Sequence, residues 1–329
     1  MAVIDGYEPF VGQHCETSTT GNLLGAAGLE LSEPMLYGMG EGLSYGVMVF
    51  KSMGAPFIGG RPRPEVLTRT LAKHLGLEVE YRQTRSKKRA WDNVASFIDA
   101  GQPVAVKLNM RFLDYVNSEV DFAGHYVTVY GYDADTVFIV DTDQQGGPQV
   151  TGRDTFEAGR LWKGSMSSNA MTWTIKVGST DIDWSRALRN AISANTRDYL
   201  RPPMANFGAK GIRRTAKLIT GWYGNYAIED LAQVGILIER GGTGGGLFRY
   251  MYADFLREAA SHLDDDRLLH LADRFDAAGR LWTEIAGHIE GCPAGGAGRL
   301  EAAADLLLEV ADSEEAAVSE LADVVKETR

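Results

Sequence analysis

"GHYVTVYGYDADTVFIVDTD", residues 124–143, contains two runs rich in β-branched and aromatic residues, separated by Asp133, Ala134 and Asp135. The runs 125–132 and 136–141 are predicted as strands, and the Asp-Ala-Asp between them as a tight turn. A turn centred near residue 134 brings residue 125 opposite residues 141–143 in an antiparallel pair. His125 opens the first strand, so either Asp141 or Asp143 falls beside its imidazole. Asp143 lies further into the loop "DTDQQGG" and is the weaker orienter of the two. Two readings stay open at this point. The hairpin presents a histidine oriented by a carboxylate, or it is a surface hairpin with polar residues near its ends.

Working outward, "PVAVKLN" (103–109) and "AMTWTIKV" (170–177) carry the same strand signature. Segments 22–29, 63–77 and 90–101 have apolar residues at helical spacing, the last two stopping at Gly76 and Gly101. The pattern predicts an α+β fold over residues 1–180. Beyond "VGSTDID" (177–183) it turns helical, with helices over 181–200, 211–222, 246–263, 265–289, 299–311 and 314–327. The last is expected to begin afresh at Asp312, because Glu315 follows at capping-box spacing. A mostly helical C-terminal domain, 181–329, therefore follows the α+β domain, and is expected to cover its active site.

The 329 residues are 44% hydrophobic and 23% charged, an ordinary globular balance. A formal net charge of -11 argues against a nucleic-acid partner. No apolar run reaches the roughly 18 residues a membrane span needs, and the start "MAVIDGYEPF" does not read as a signal peptide. Two cysteines, Cys15 and Cys292, supply neither a disulfide framework nor a four-cysteine metal site. A cytoplasmic protein with reduced thiols and no membrane association is expected.

Cys15 stands in "GQHCETSTTGNLLG" (12–25), a polar stretch ahead of a predicted helix rather than an apolar core pattern. A thiol at a helix start gains from the helix dipole and from free backbone N–H groups, so Cys15 is the candidate nucleophile. Such a nucleophile needs a base, a group to orient that base and donors for the oxyanion. Of six histidines, His74, His262, His270 and His288 fall in helical patterns. His14 adjoins Cys15, where neighbouring side chains diverge, and is better placed to line the pocket. His125, with Asp141, is left as the base. Cys292, in "EGCPAGGAG", reads as an incidental loop cysteine. No His, Cys or Glu cluster has metal-ligand spacing.

The hairpin resembles the His–Asp segment of papain-like cysteine peptidases, especially the double-glycine leader peptidases of bacteriocin exporters. More closely, "HCETSTTGNLL", "LSEPMLYGMGEGLSYG" and "GHYVTVYGYD" together resemble the N-terminal domain of the butirosin biosynthesis protein H family. "GTGGGLFRYMYADFLREAA" resembles the uncharacterised domain that accompanies it. The resemblance covers most of the chain. It implies a papain-like fold with Cys15, His125 and Asp141 as catalytic residues. It also implies an acyltransferase that moves an acyl group from an acyl carrier protein to an amine of a small metabolite, in antibiotic or other secondary-metabolite biosynthesis. No cofactor is then expected beyond the carrier's own phosphopantetheine. The alternative on the same fold is a cysteine peptidase, amidase or thioester hydrolase. One departure stands out: papain-like enzymes have an oxyanion-hole glutamine several residues before the cysteine, whereas Gln13 is only two residues away. The backbone N–H of Cys15 is the safer donor.

Three further stretches carry candidate binding residues. In "LYGMGEGLSYG" (36–46), Gly40, Glu41 and Gly42 sit where glycines let backbone approach a ligand, or simply form an irregular loop. "GGTGGG" (241–246) precedes a helix bearing Arg249, and Gly244 and Gly245 have the composition of a phosphate cradle or of a flexible linker. "YRQTRSKKRAW" (81–91) is the densest basic run. Arg85, Lys87, Lys88 and Arg89 are candidates for docking an acidic carrier, against the simpler reading of a solvated segment.

Overall fold

The computed structural model describes residues 1–49, 54–60, 65–118, 121–241 and 244–327. The start of the helix expected at 63–77 and two residues of the glycine-rich stretch, Gly242 and Thr243, lie outside them. In chain order the elements are β1 (Ala2–Val3), α1 (Cys15–Ala26), α2 (Glu33–Met39), β2 (Gly46–Met48), β3 (Phe57–Gly59), α3 (Val66–Leu75), β4 (Glu78–Arg82), α4 (Lys87–Ile98), β5 (Val104–Leu108), β6 (His125–Tyr132), β7 (Thr136–Val140), β8 (Pro148–Gly152), α5 (Arg153–Leu161) and β9 (Thr172–Lys176). Helices α6 (Trp184–Leu200), α7 (Gly208–Ile219), α8 (Ile228–Glu239), α9 (Gly245–Leu263), α10 (Arg267–Glu290), α11 (Cys292–Gly295) and α12 (Ala297–Glu327) follow.

The chain divides into two compact units: Met1–Leu36 with Glu65–Ile182, and Tyr37–Pro64 with Asp183–Arg329. The helical unit is thus discontinuous in sequence, where a single cut near 180 was expected.

The first unit is α+β. A seven-stranded antiparallel sheet runs β4-β9-β5-β6-β7-β8, and β1 pairs with the end of β6. Alternating Val104, Val106, Leu108, Val127, Val129, Val137 and Ile139 form one core with Val94, Phe97 and Ile98 of α4 and Phe156 of α5. That alternation is the period-two pattern of strands with one apolar face. Helix α1 packs on β6. It begins at Cys15 itself, not at the apolar residues 22–29, and Glu16 through Leu24 are buried. Its hydroxyls hid the helix from a hydrophobic-periodicity reading. Inside the structure they are satisfied locally: Thr19 and Thr20 both donate to the Glu16 carbonyl, at 3.0 and 2.6 Å. This back-bonding lets a polar run be buried without orphaned groups.

The helical unit packs Tyr45, Val47 and Ile58 of its β2–β3 hairpin with α7, α8, α10 and α12 in one core. Two expectations are corrected here. Helix α12 is continuous over 31 residues, about 46 Å at 1.5 Å per residue, so no new helix starts at Asp312. Asp312 instead accepts a salt bridge from Arg213 Nη2 at 2.7 Å, and Glu314, the next inward position, is buried. Cys292 is no loop residue: it opens α11 and is fully buried in this core, and burial pushes its thiol up.

Candidate active site

Cys15 occupies the first position of α1, and His14 is the N-cap, its Nδ1 accepting from the Thr17 N–H at 3.4 Å. By position, the Cys15 N–H is one of the helix donors with no partner inside the helix. The segment before it is fixed by its backbone. The Glu33 carboxylate accepts the N–H groups of Gln13 and His14, each at 2.9 Å, and the Thr17 hydroxyl at 2.6 Å. Gly12 donates to Ser18 Oγ at 3.3 Å, and its carbonyl accepts from the Asp143 N–H at 2.9 Å. A Cβ on Gly12 would stand 2.8 Å from Glu33 Oε1, so a larger residue there would push on the Glu33 carboxylate. Gln13 is exposed, and its backbone N–H is committed to Glu33. Glu33 is absent from the sequence-based candidates because nothing in "LSEPM" signals a contact with residues 13 and 14.

The hairpin delivers the other two groups. His125 and Asp141 are both buried, 6% and 1% exposed, while Cys15 is partly open. His125 Nε2 lies 2.9 Å from each Asp141 carboxylate oxygen. The Cys15 thiol acts on the same ring, as one of the groups that favour its charged form. Burial works to lower the His125 pKa. Asp141, through charge and hydrogen bonding, and then Cys15 outweigh it and raise it to about 10. Burial likewise works to raise the Asp141 pKa, but His125, the Tyr115 hydroxyl and the Thr142 N–H hold it below the ordinary carboxylate value.

A bulge between Val129 and Gly131 shifts the hairpin register by one residue. Past Asp141 the chain reverses through a turn closed by Gly146 and Gly147, both left-handed at φ 89° and 68°. The Asp141 N–H donates to the Gly147 carbonyl at 2.9 Å. Asp143 is exposed and starts a short 3-10 turn, contributing its N–H rather than its carboxylate to the site region.

Gly40, Glu41 and Gly42 belong to the helical unit. The close approach at Gly42 is to the Tyr37 ring, whose hydroxyl donates to the Gly42 carbonyl at 2.6 Å. Gly244 and Gly245 do open α9, but the anion at this helix start is the protein's own: Glu239 accepts the Gly246 N–H at 3.5 Å and the Thr283 hydroxyl at 2.7 Å. Arg249 is fully buried and bonds Glu314 at 2.7 and 3.0 Å, so its guanidinium serves the core rather than a substrate. Of the basic run, Lys87, Lys88 and Arg89 form the first turn of α4, capped by Ser86. Lys87 faces Asp154 and Glu157 at 3.7 and 3.6 Å, and Arg85 bonds Asn169 at 3.2 Å. Lys88 and Arg89 are exposed. Among the described residues no group of three or more His, Cys, Asp or Glu is arranged to hold a metal ion, and no helix is long and apolar enough to cross a membrane.

No curated protein matches this chain closely. Residues 14–142 match the family described as butirosin biosynthesis protein H, N-terminal, and residues 154–321 match a domain of unknown function, DUF4872. The first match begins one residue before Cys15 and ends one residue after Asp141, so it encloses the whole Cys–His–Asp constellation. By both matches, the chain belongs to the butirosin biosynthesis protein H-like family, with its N-terminal domain followed by the DUF4872 domain.

Proposed function

We propose that this protein is a cysteine-dependent acyltransferase of secondary-metabolite biosynthesis, built on a papain-like arrangement. It would take an acyl group from an acyl-carrier-protein thioester, hold it on Cys15, and deliver it to an amine of a small metabolite. The observation that carries the reading is a buried imidazole bonded to Asp141 whose charged form is also favoured by a thiol at a helix start. The family's link to butirosin biosynthesis favours group transfer over protein degradation.

In the first half-reaction His125 takes the thiol proton and the sulfur of Cys15 attacks the thioester carbonyl. The Cys15 N–H, and Gln13 if its side chain swings in, donate to the oxyanion. Collapse breaks the bond to the phosphopantetheine sulfur, which leaves with the proton held by His125. In the second, the amine attacks the acyl-Cys15 carbonyl, His125 accepts the amine proton, and the Cys15 sulfur leaves and is reprotonated. Asp141 orients the ring and stabilises its charged form throughout. Phosphopantetheine enters only as part of the carrier, and the chemistry asks for no other cofactor. The exposed Lys88 and Arg89, with Lys87 and Arg85, supply the positive surface an acidic carrier needs.

The test is a carrier-bound acyl thioester with and without an amine acceptor. Intact mass should show one acyl group on Cys15, discharged as amide when amine is added. Free acid in place of amide would make the protein a hydrolase, and no adduct on Cys15 would overturn the reading. Changing Lys87, Lys88 and Arg89 together to glutamate should raise KM for the carrier substrate and leave a small thioester mimic unaffected. The carrier effect should also weaken with salt, as the Debye length falls from about 10 Å at 0.1 M to about 3 Å at 1 M.

A further inference from the structure

Asp141 has a second side-chain donor besides His125. The Tyr115 hydroxyl donates to Asp141 Oδ2 at 2.6 Å, while the Thr142 N–H donates to Oδ1 at 2.7 Å. Each carboxylate oxygen therefore meets His125 and one further donor, which fixes both the tilt of the carboxylate and the lone pairs turned to the ring. Tyr115 does not reach this place by chance of a floppy side chain. Its ring is half-buried against the core of the sheet unit. Its loop is pinned by two polar side chains that precede it. Upstream, Asn109 is fully buried and accepts the N–H groups of Arg111 and Phe122 at 3.2 and 3.1 Å while donating to Asp121 at 2.8 Å. Immediately before Tyr115, Asp114 accepts the Gly152 N–H at 2.6 Å and the Thr151 hydroxyl at 3.1 Å, tying the loop to β8. Two polar side chains thus hold one phenol on the carboxylate that holds the histidine.

We propose that Tyr115 is a positioning residue of the active site, a fourth member of a Cys15–His125–Asp141–Tyr115 relay that keeps Asp141 ionised and aligned. This rests on the proposed roles of the first three. The hydroxyl donates to the charged carboxylate, so its loss makes protonation of Asp141 easier. An Asp141 that has taken up a proton no longer supports a protonated His125, and the thiol proton then has nowhere to go. The consequence is confined to the acid side of the profile and leaves substrate contacts alone.

The experiment compares the parent with Tyr115→Phe and Tyr132→Phe, reading the pH dependence of Cys15 alkylation by iodoacetamide. Tyr132 offers a matched control: its hydroxyl donates to Asp99 at 2.7 Å at the far end of the same strand as His125. In Tyr115→Phe the acid limb should move up by about one pH unit, the scale of losing one charge-assisted hydrogen bond. Where a substrate is in hand, kcat should fall on that limb with KM unchanged. Tyr132→Phe should follow the parent curve. An acid limb in Tyr115→Phe that coincides with the parent's, or an equal shift in both variants, would overturn the assignment. Alkylation needs no acyl donor, so failure of the acyltransferase reading would leave this result interpretable.

Discussion

Glu314 and Asp141 are both carboxylates buried beside a cation, one in each unit, and their surroundings differ in kind. Glu314 of the helical unit is closed on every side: Arg249 bonds both its oxygens, Trp282 Nε1 donates at 2.7 Å, Tyr199 donates its hydroxyl, and the guanidinium lies 4.9 Å over the Trp282 ring. Asp141 of the sheet unit is equally buried, yet its cation is a histidine that also interacts with a partly open thiol. The first pair ends in the core, and the second ends at a reactive group. An arginine keeps its proton under any ordinary condition. A histidine can take one and give it back. Burial and pairing alone therefore do not mark a working site; an exchangeable proton and an accessible neighbour do.

Breaking each pair should give opposite signatures. Asp141→Asn should lose activity by a large factor, about 10⁴ by analogy with the serine-protease case, and change stability far less. Asp143→Asn should retain most activity, and equal effects of the two would remove Asp141 from its assigned role. Glu314→Ala should cost about 3–5 kcal/mol of unfolding free energy, because Arg249 is left buried and unpaired. Activity per folded molecule should survive, and denaturant unfolding checked against active-site titration would show it. Replacing both Arg249 and Glu314 by apolar residues of similar volume should recover much of that loss.

A smaller effect is expected from pH. The parent should keep its alkaline limb near the raised His125 value of about 10, and Asp141→Asn should bring it down toward the ordinary value near 6.5. The sign for stability follows. The raised His125 pKa contributes fully below about pH 6.5 and is lost as pH climbs through about 10. The depressed Asp141 pKa contributes above its ordinary range and is lost as pH falls beneath it. The smallest effect should come from Cys292→Ala, roughly 1 kcal/mol of core packing, with alkylation at Cys15 unchanged. Labelling of the folded parent at buried Cys292 would contradict its place in the core.

The hairpin was legible because strands and turn chemistry are local: β6 spans the residues its pattern marks, and β7 ends one residue before Asp141. Strand β4, "EVEYR", gave no signal because its pairing with β9 lies almost a hundred residues away and more than half of its residues are charged. Helix α1 was legible as a helix opening at the polar residues after Cys15, although its buried hydroxyls carry no apolar period. Arg249 was misassigned: an arginine after a glycine run looks like an anion binder, and only Glu314, 65 residues on, shows otherwise. Tyr115 and Glu33 gave no local signal at all. Both act through hydrogen bonds to residues far off in the sequence, which no periodicity encodes.

The discontinuous helical unit has a consequence in time. Residues 37–64 belong with a partner segment that begins at Asp183. At about 5–20 residues per second, the ribosome takes on the order of ten seconds to reach that partner after finishing residue 64. The sheet unit, in contrast, is complete once β9 has emerged. A nascent chain should therefore close the sheet around an interrupted loop first, and hold Tyr45 and Val47 unpaired until α7 and α12 arrive. A fragment ending near residue 180 would strand those side chains permanently, so expression of the N-terminal half alone should favour aggregation even though its sheet is whole.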